Sequence, residues 1–466
     1  MREGKGGNAA GAPPTTAPLS GRVGWAMFDW ANQPFFTVIT TFIFAPYFTS
    51  VIIADPVRGQ AVWGYTQSLS GAIIAILSPI LGAMADAGGA KKPWILAFQA
   101  VTVVGCIALW WAQPGGVHTV PLVLVSIIVA TIGAEFSIVF NNALLPSLVP
   151  PERMGRLSGF GWGMGYAGGL VALFAVLIAS RPELLGIATP EGQALLGLDR
   201  ASHALERLTG PASALWLVVF VLPMFIFTPD TARTGLGWTE AARVGLKQLA
   251  ETVRRLRNYR NQLIYLLAFM IYNDGLAAVI AFGGVYAAGT FGWSTTELGI
   301  FGIFLTVFAT AGCFAGGWLD DRIGSKRTIQ IAILGTIVAA LGIMSIGRTE
   351  ILFWVPVAPK VPDGGLFASA AEQAFMGFAS ILGVCMGPMQ AASRTMIGRL
   401  APSGMVTEFY GLFALSGRAT TFMAPFLIGV FTQVSESQRA ALVVVLVFLA
   451  VGFVLLHFVK AEKPRR

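Results

Sequence analysis

The sequence predicts an all-α integral membrane protein of twelve transmembrane helices, arranged as two parallel-repeat six-helix bundles. Three observations carry that expectation. Charged residues make up 12% of the 466 positions and hydrophobic ones 55%, with a mean hydropathy of +0.71, whereas soluble domains carry roughly 25% charge. So much apolar surface requires lipid as its solvent, and the balance is the reverse of that in a disordered chain. Twelve apolar stretches approach the length of about 20 residues that crosses a bilayer. Finally, one loop pattern recurs about half a chain apart.

The stretches fall near 23–50, 61–85, 93–113, 119–147, 157–180, 211–228, 263–288, 296–319, 328–347, 366–393, 407–432 and 438–460. Ile351–Val357 is apolar but too short to span. Residues 1–22, rich in Gly, Ala, Pro and Thr without an apolar core, read as a flexible cytoplasmic tail and not a cleavable signal. The first bundle is expected over 23–228, a cytoplasmic linker over 229–262, the second bundle over 263–460 and a cytoplasmic tail over 461–466. In the linker, Thr239 is placed to cap a helix whose Leu246, Leu249, Val253 and Leu256 share a face, with Arg254, Arg255 and Arg257 around it. This reads as an amphipathic helix on the inner leaflet, drawn to anionic lipid; a calmodulin-type partner site is the alternative. The outer loop 181–210 is polar, with a short helix expected near Ala201–Leu208.

Lys and Arg are divided 23 against seven between the two sets of alternate loops, with Arg418 inside a span. The bias places both termini in the cytoplasm, as does an even number of spans. The net charge of +8 therefore reports topology and not a nucleic-acid surface. Short tails without organelle-targeting features point to a bacterial inner membrane.

Several chemistries are excluded. Cys106, Cys313 and Cys385 are far apart in apolar runs, and His118, His203 and His457 lie at span ends or in loops, so neither a metal site nor a disulfide framework is expected. Gly163-Met164-Gly165-Tyr166-Ala167-Gly168 satisfies a dinucleotide-binding pattern but sits inside span 5, away from any strand–helix turn. Gly161, Gly165 and Gly169 recur every fourth residue, a stripe suited to close helix contact. No Walker sequence, HExxH or Ser-His-Asp grouping is present. The expectation is no enzyme, no cofactor, no metal and no need of an oligomeric partner.

After span 2 the chain reads Gly82-x-x-x-Asp86-x-x-Gly89-x-Lys91-Lys92, and after span 8 Gly317-x-x-x-Asp321-x-x-Gly324-x-Lys326-Arg327, an offset of 235. Leu148, Pro150, Gly159 and Gly165 match Leu400, Pro402, Gly411 and Gly417 at an offset of 252, the difference absorbed by the outer loop 348–365. Parallel six-helix copies about an axis along the membrane normal are a transporter architecture with the substrate site between halves at the midplane. Gly82 and Gly317 permit close helix approach, and Gly89 and Gly324 a tight turn. Asp86 and Asp321 can accept hydrogen bonds from the exposed amides at the start of a neighbouring helix, a contact able to hold one face shut. The alternative is that the basic residues only fix topology.

These loops resemble the major facilitator signature G-x-x-x-D-R-x-G-R-K. The second copy carries Arg322 after its Asp; the first has Ala87 there. Gly24-Trp25-Ala26-Met27-Phe28-Asp29-Trp30-Ala31-Asn32-Gln33-Pro34-Phe35 resembles the opening of one branch, that of the vacuolar amino-acid effluxers related to autophagy and their bacterial relatives. Asn141-Asn142-Ala143-Leu144-Leu145-Pro146, Tyr272-Asn273-Asp274-Gly275, Glu408-Phe409-Tyr410-Gly411-Leu412 and Ser416-Gly417-Arg418 extend the likeness over nearly the whole chain. It implies the major facilitator fold, spans 1, 4, 7 and 10 innermost, span 5 packed on span 8 across the halves, and an amino acid as substrate with efflux as direction.

A charge near a span centre costs about 2.5–3.5 kcal/mol on translocon scales unless it lines water or pairs. Asp29, Glu135 and Asp274 lie in spans 1, 4 and 7, and Arg418, read as the only deep cation, in span 11. Desolvated acids can load and release a proton, and an acid with a cation suits a zwitterionic solute. Asp29 could instead be a structural acid paired with Asn32 or a loop arginine. Asp29, Asn32, Glu135, Asn141, Asn142, Tyr272, Asn273, Asp274 and Arg418 are the candidates for the cavity. Glu372 and Glu408 are placed at the watery span ends, and Trp25, Trp94, Trp293 and Trp354 read as interface anchors. The expected function is secondary transport of a small polar solute by alternating access, coupled to H+. The alternatives are export of a drug or other metabolite, or a carrier-like receptor without flux.

Overall fold

The computed structural model describes residues 16–180, 182–187, 197–199, 201–254, 256–293, 295–360, 365–421, 423–435 and 438–460. The two tails, apart from 16–22, and the middle of the loop 181–210 lie outside the described residues.

The first half comprises α1 (Leu19–Pro34), α2 (Phe44–Tyr47), α3 (Pro56–Gly88), α4 (Lys92–Ala108), α5 (Thr119–Leu148), α6 (Met154–Ser180) and α7 (Ala204–Phe227). The linker forms α8 (Trp238–Arg254). The second half comprises α9 (Arg260–Phe291), α10 (Thr295–Ile323), α11 (Ser325–Met344), the hairpin β1 (Glu350–Ile351) and β2 (Val355–Pro356), α12 (Ala370–Leu400), α13 (Val406–Ala419), α14 (Met423–Ser435) and α15 (Gln438–His457). Among the described residues ten helices are long and apolar enough to cross a membrane. The eleventh expected span is broken between α13 and α14, and the twelfth falls on α15.

Sequence explains the irregularities. Pro34 lacks the donor a helix interior requires, and the chain continues as π-helix over Phe35–Phe42, with the Thr40 and Thr41 hydroxyls both donating to the Phe36 carbonyl at 2.7 and 2.8 Å. The short helix expected near Ala201–Leu208 is the start of α7.

Buried side chains form a core in each half, and that of the second half takes in Val139 and Ala143 of α5. Trp25, Phe28, Phe136, Phe140 and Leu144 centre one; Tyr265, Tyr272, Phe375 and Phe409 centre the other. The halves meet where α3 packs on α13 and α6 on α10. Glycine makes both contacts possible. A Cβ on Gly82 would stand 2.5 Å from the Thr407 carbonyl oxygen, and one on Gly159 would stand 2.4 Å from that of Cys313. The stripe facing the other half is thus Gly155, Gly159 and Gly163. Gly161, Gly165 and Gly169, the expected contact stripe, instead face Asp29 and Gln33 of α1 and Thr37 of the π-helix that continues it.

The helix ends near the chain termini define one face, here the terminal face. There the linker is fastened to the first half. Asp230 accepts from the backbone amides of Lys91 (2.8 Å) and Lys92 (3.1 Å), and Thr231 and Thr234 donate to the Gly89 and Ala87 carbonyls. Helix α8 starts at Trp238, so Thr239 is inside its first turn and not its cap. It docks through Ala241, Gly245 and Thr252; a Cβ on Gly245 would be 2.7 Å from the Ala83 backbone. The docking face is the small-residue one, because only small side chains let helix backbones approach closely. Val244 and Leu246 are left exposed; the side chains of Val253, Leu256, Arg255 and Arg257 lie outside the described residues.

Burial overturns four further expectations. Trp25 is fully buried and donates to the Asn141 carbonyl at 2.8 Å. Trp293 is buried and donates to Glu372 at 2.8 Å. Glu372 and Glu408 are both 0% exposed and not at watery ends. Glu372 forms a capping box with Ser369 and, with Glu297, holds Lys360 of the loop 348–365 at 2.9 and 2.7 Å. Burial pulls Lys360 down, but its bonds to the two carboxylates leave its ammonium above the ordinary lysine range.

Candidate functional site

Three tiers of polar contact join the halves, from the terminal face inward. In the first tier the two repeated loops do the same thing. Asp86 accepts from the Thr407 hydroxyl (2.6 Å) and the Glu408 amide (2.8 Å), at the start of α13. Asp321 accepts from the amides of Gly155 (2.8 Å) and Arg156 (3.2 Å), at the start of α6. Each carboxylate satisfies orphan donors at a helix N-terminus. Gly89 and Gly324, with φ of +86° and +87°, make the turns that follow.

The basic residues of the loops diverge. Lys91 is buried and donates to Asp86 at 2.8 Å and to the Ala85 carbonyl. Lys92 reaches the Phe225 carbonyl at the end of α7 (2.9 Å), and Lys326 reaches the His457 and Val459 carbonyls at the end of α15 (2.7 and 2.8 Å). Cations there oppose the negative ends of the helices. Arg322 is exposed, its guanidinium 3.8 Å from the Trp318 ring centroid, and Arg327 is exposed too. The arginine that bridges the halves beside the second loop is instead Arg399, in the last turn of α12. It bonds Asp320 at 2.6 Å and crosses to the Pro151 carbonyl at 2.7 Å.

The second tier centres on Arg394, which sequence reasoning placed in a loop after span 10. It lies within α12, 3% exposed. It donates to Asp29 (2.8 Å), Asn142 (3.3 Å), the Ser158 hydroxyl (2.9 Å) and the Ser158 carbonyl (2.6 Å), clamping α1, α5 and α6. Its guanidinium also lies 4.8 Å from the Trp25 ring centroid, within cation–π range. Arg418 is therefore not the only deep cation, and Asp29 is an ion-paired acid. The sequence held a signal: Asn142 and Arg394 are equivalent under the 252-residue offset. Nearby, Tyr166 donates to Gln390 across the same boundary at 2.5 Å.

The third tier is the ion pair between Arg418 of α13 and Glu135 of α5. Glu135 lies thirteen residues before the end of α5 and Arg418 twelve after the start of α13, about 18–20 Å inside at 1.5 Å per residue. That is mid-membrane. Their side chains remain 14% and 35% exposed, unlike the 4% of Arg394.

The other candidates sit within one half. Asn32 and Ser137 are joined by Gln99 at 3.1 Å inside the first half. The Asn141 amide is buried without a partner among the described residues. Tyr272 is buried, bonds Ser393 at 2.6 Å and packs on Gly452. Asn273 donates to the Gly417 carbonyl at 3.5 Å. Asp274 is 1% exposed, and neither of its oxygens has a hydrogen-bond partner among the described residues. Among the described residues no His, Cys, Asp and Glu cluster could hold a metal ion.

Two helix bundles joined by paired loop caps, around a mid-membrane pair of opposite charges, define a membrane transporter of the major facilitator fold. The model of the Vacuole effluxer Atg22-like family matches residues 51–466, and the chain belongs to that family. It is 26% identical to the uncharacterized MFS-type transporter YxiO of Bacillus subtilis over 94% of both chains. It is 22% identical to autophagy-related protein 22-1 of Aspergillus fumigatus over 67% of this chain and 49% of that one, so it spans about half the length of this fungal relative. Among solved structures it resembles FucP in the outward conformation, with a TM-score of 0.69 at 15% identity, covering 95% of this chain and 99% of that one. It also resembles a bacterial homologue of the iron transporter ferroportin in the outward-facing state, with a TM-score of 0.65 at 14% identity over 94% and 98% of the chains.

Proposed function

We propose that the protein is a proton-coupled secondary carrier exporting an amino acid from the cytoplasm of a bacterial cell, with its termini and terminal face on the cytoplasmic side of the plasma membrane. The observation that carries this reading is the Glu135–Arg418 pair. It offers a carboxylate and a guanidinium, one from each half, at mid-membrane depth and still partly exposed. A zwitterion can exchange into such a pair, its carboxylate taking Arg418 bidentately and its ammonium taking Glu135. Parting of the halves at either face then alternates access to it. The 23-to-seven distribution of basic residues supports the orientation, and the effluxer description of the family supports the direction.

Protein reconstituted in proteoliposomes, loaded with a mixture of labelled amino acids and given a pH gradient, tests the reading. Release should require Arg418 and Glu135 and collapse in Arg418→Ala and Glu135→Gln. Asp274→Asn should retain exchange of the solute while losing the response to the gradient. Release by Arg418→Ala at the wild-type rate defeats the proposed site.

A further inference from the structure

We propose that Glu408 is a proton-binding residue of the terminal-face gate: it holds a proton while the gate is shut and releases it to the water on that face as the gate opens. The two gates are copies. Under the 252-residue offset, Gly155 and Arg156 correspond to Thr407 and Glu408, and both pairs donate to the loop acid, Gly155, Arg156 and Glu408 through their amides and Thr407 through its hydroxyl. The side chains differ in sign. At the second gate Arg156 is 60% exposed and its Nε lies 3.4 Å from Asp321, an attractive pair. At the first gate the same position is an acid beside another acid.

Glu408 is 0% exposed. Its Oε2 accepts one long bond, 3.4 Å from the Gln248 side chain of α8, and its Oε1 has no partner among the described residues. The charged and titratable groups around it do not supply a counter-ion. From α3 comes Asp86, whose own cation, Lys91, is already engaged with it and with the Ala85 carbonyl. From α8 come Gln248 and Thr252, the latter turned to the Gln248 carbonyl, while Lys247 and Glu251 are on the exposed side. Tyr259 stacks edge-on against neighbouring Phe409. From α12, Arg394 offers only its carbonyl, held by Tyr410, and directs its guanidinium to Asp29. A buried carboxylate with an orphan oxygen and a like charge as neighbour is disfavoured, and a proton relieves both penalties. When α3 leaves α13, water reaches Glu408, Asp86 recedes and the proton can depart.

The inference requires that the halves part on this face, as the proposed carrier does. It does not require that Glu135 and Arg418 hold the solute. The test uses the full chain in nanodiscs, with spin labels on cysteines placed at the exposed positions Glu152 and Ser403 in a background without the three native cysteines. One linked proton makes the shut-to-open ratio fall by up to about tenfold per pH unit as pH rises. Wild type should show that fall between pH 5 and 9, and Glu408→Gln should stay shut with a flat profile. In infrared spectra the shut protein should show a protonated carboxyl band that Glu408→Gln lacks. The variant should also melt at the wild-type temperature at low pH and above it at high pH, which separates loss of a proton site from misfolding. A wild-type slope retained in Glu408→Gln, a wild type without a slope, or a variant less stable at both pH values overturns the proposal. Release that depends on Arg418 but a flat wild-type profile would defeat this inference alone.

Discussion

The contact at Asp86 and the contact at Asp321, the two proposed gates, share a backbone and little else. In both, a close-packing glycine precedes the acid by four residues, a glycine with positive φ follows it by three, and the acid caps the start of a helix in the partner half, α13 or α6. Around that shared frame the charges differ. The first gate has a buried lysine and a second acid; the second has two arginines and a second acid, Asp320, that Arg399 neutralises. The difference teaches that a duplicated contact is constrained where backbones touch and is free to vary where a side chain can be replaced. Lys326 shows the same freedom, since it aligns with Lys91 yet performs the task of Lys92.

The comparison can be broken or sharpened by substitution. The largest effect is expected at Arg394, which clamps the halves inward of both loop contacts: Arg394→Ala leaves Asp29 uncompensated and should cost about 3–5 kcal/mol, read by denaturant unfolding in micelles with a matching gain in solvent access at the terminal face. Next come Gly82→Val and Gly317→Val. Added Cβ atoms would stand 2.5 and 2.7 Å from opposing carbonyl oxygens, so each should weaken the shut state by about 1–3 kcal/mol, seen as increased labelling of a cysteine at Glu152. If only one does so, the gates are not mechanically equivalent. Smaller still, Asp321→Asn should cost about 1–2 kcal/mol; Asp86→Asn relieves Glu408 but leaves the buried Lys91 ammonium without its counter-ion, so it should cost more than Asp321→Asn, and the two melting temperatures at neutral pH decide the order. Last, Arg322→Gln should change neither stability nor transport, despite matching the family's loop signature, because the side chain is exposed and stacks only on Trp318.

The fold was legible because lipid imposes length and apolarity on each span, and because the duplicated loops carry their own spacing. Arg394 was not legible by the same logic. Helix α12 has 31 residues, about 46 Å at 1.5 Å per residue, longer than the hydrocarbon thickness, and hydropathy ends the span at the first arginine. The guanidinium is buried by the opposing bundle and not by lipid, a fact that only the assembled halves contain. The docking face of α8 was missed for a related reason. Its leucines draw attention to one side, whereas Ala241 and Gly245 make the protein contact because they are small. Glu408 was read as an end-of-helix charge because α8, which covers it, comes from elsewhere in the chain.

The firm attachment of the linker to the first half has one more consequence. Asp230, Thr231, Thr234 and α8 up to Thr252 travel with that half, while Tyr259 already packs on Phe409 of the other. The covalent leash between the two bodies is therefore only residues 253–258, about 20 Å if drawn straight. So short a leash confines the two bodies to tilting against one another, and it sets an upper bound on how far they can part at the terminal face.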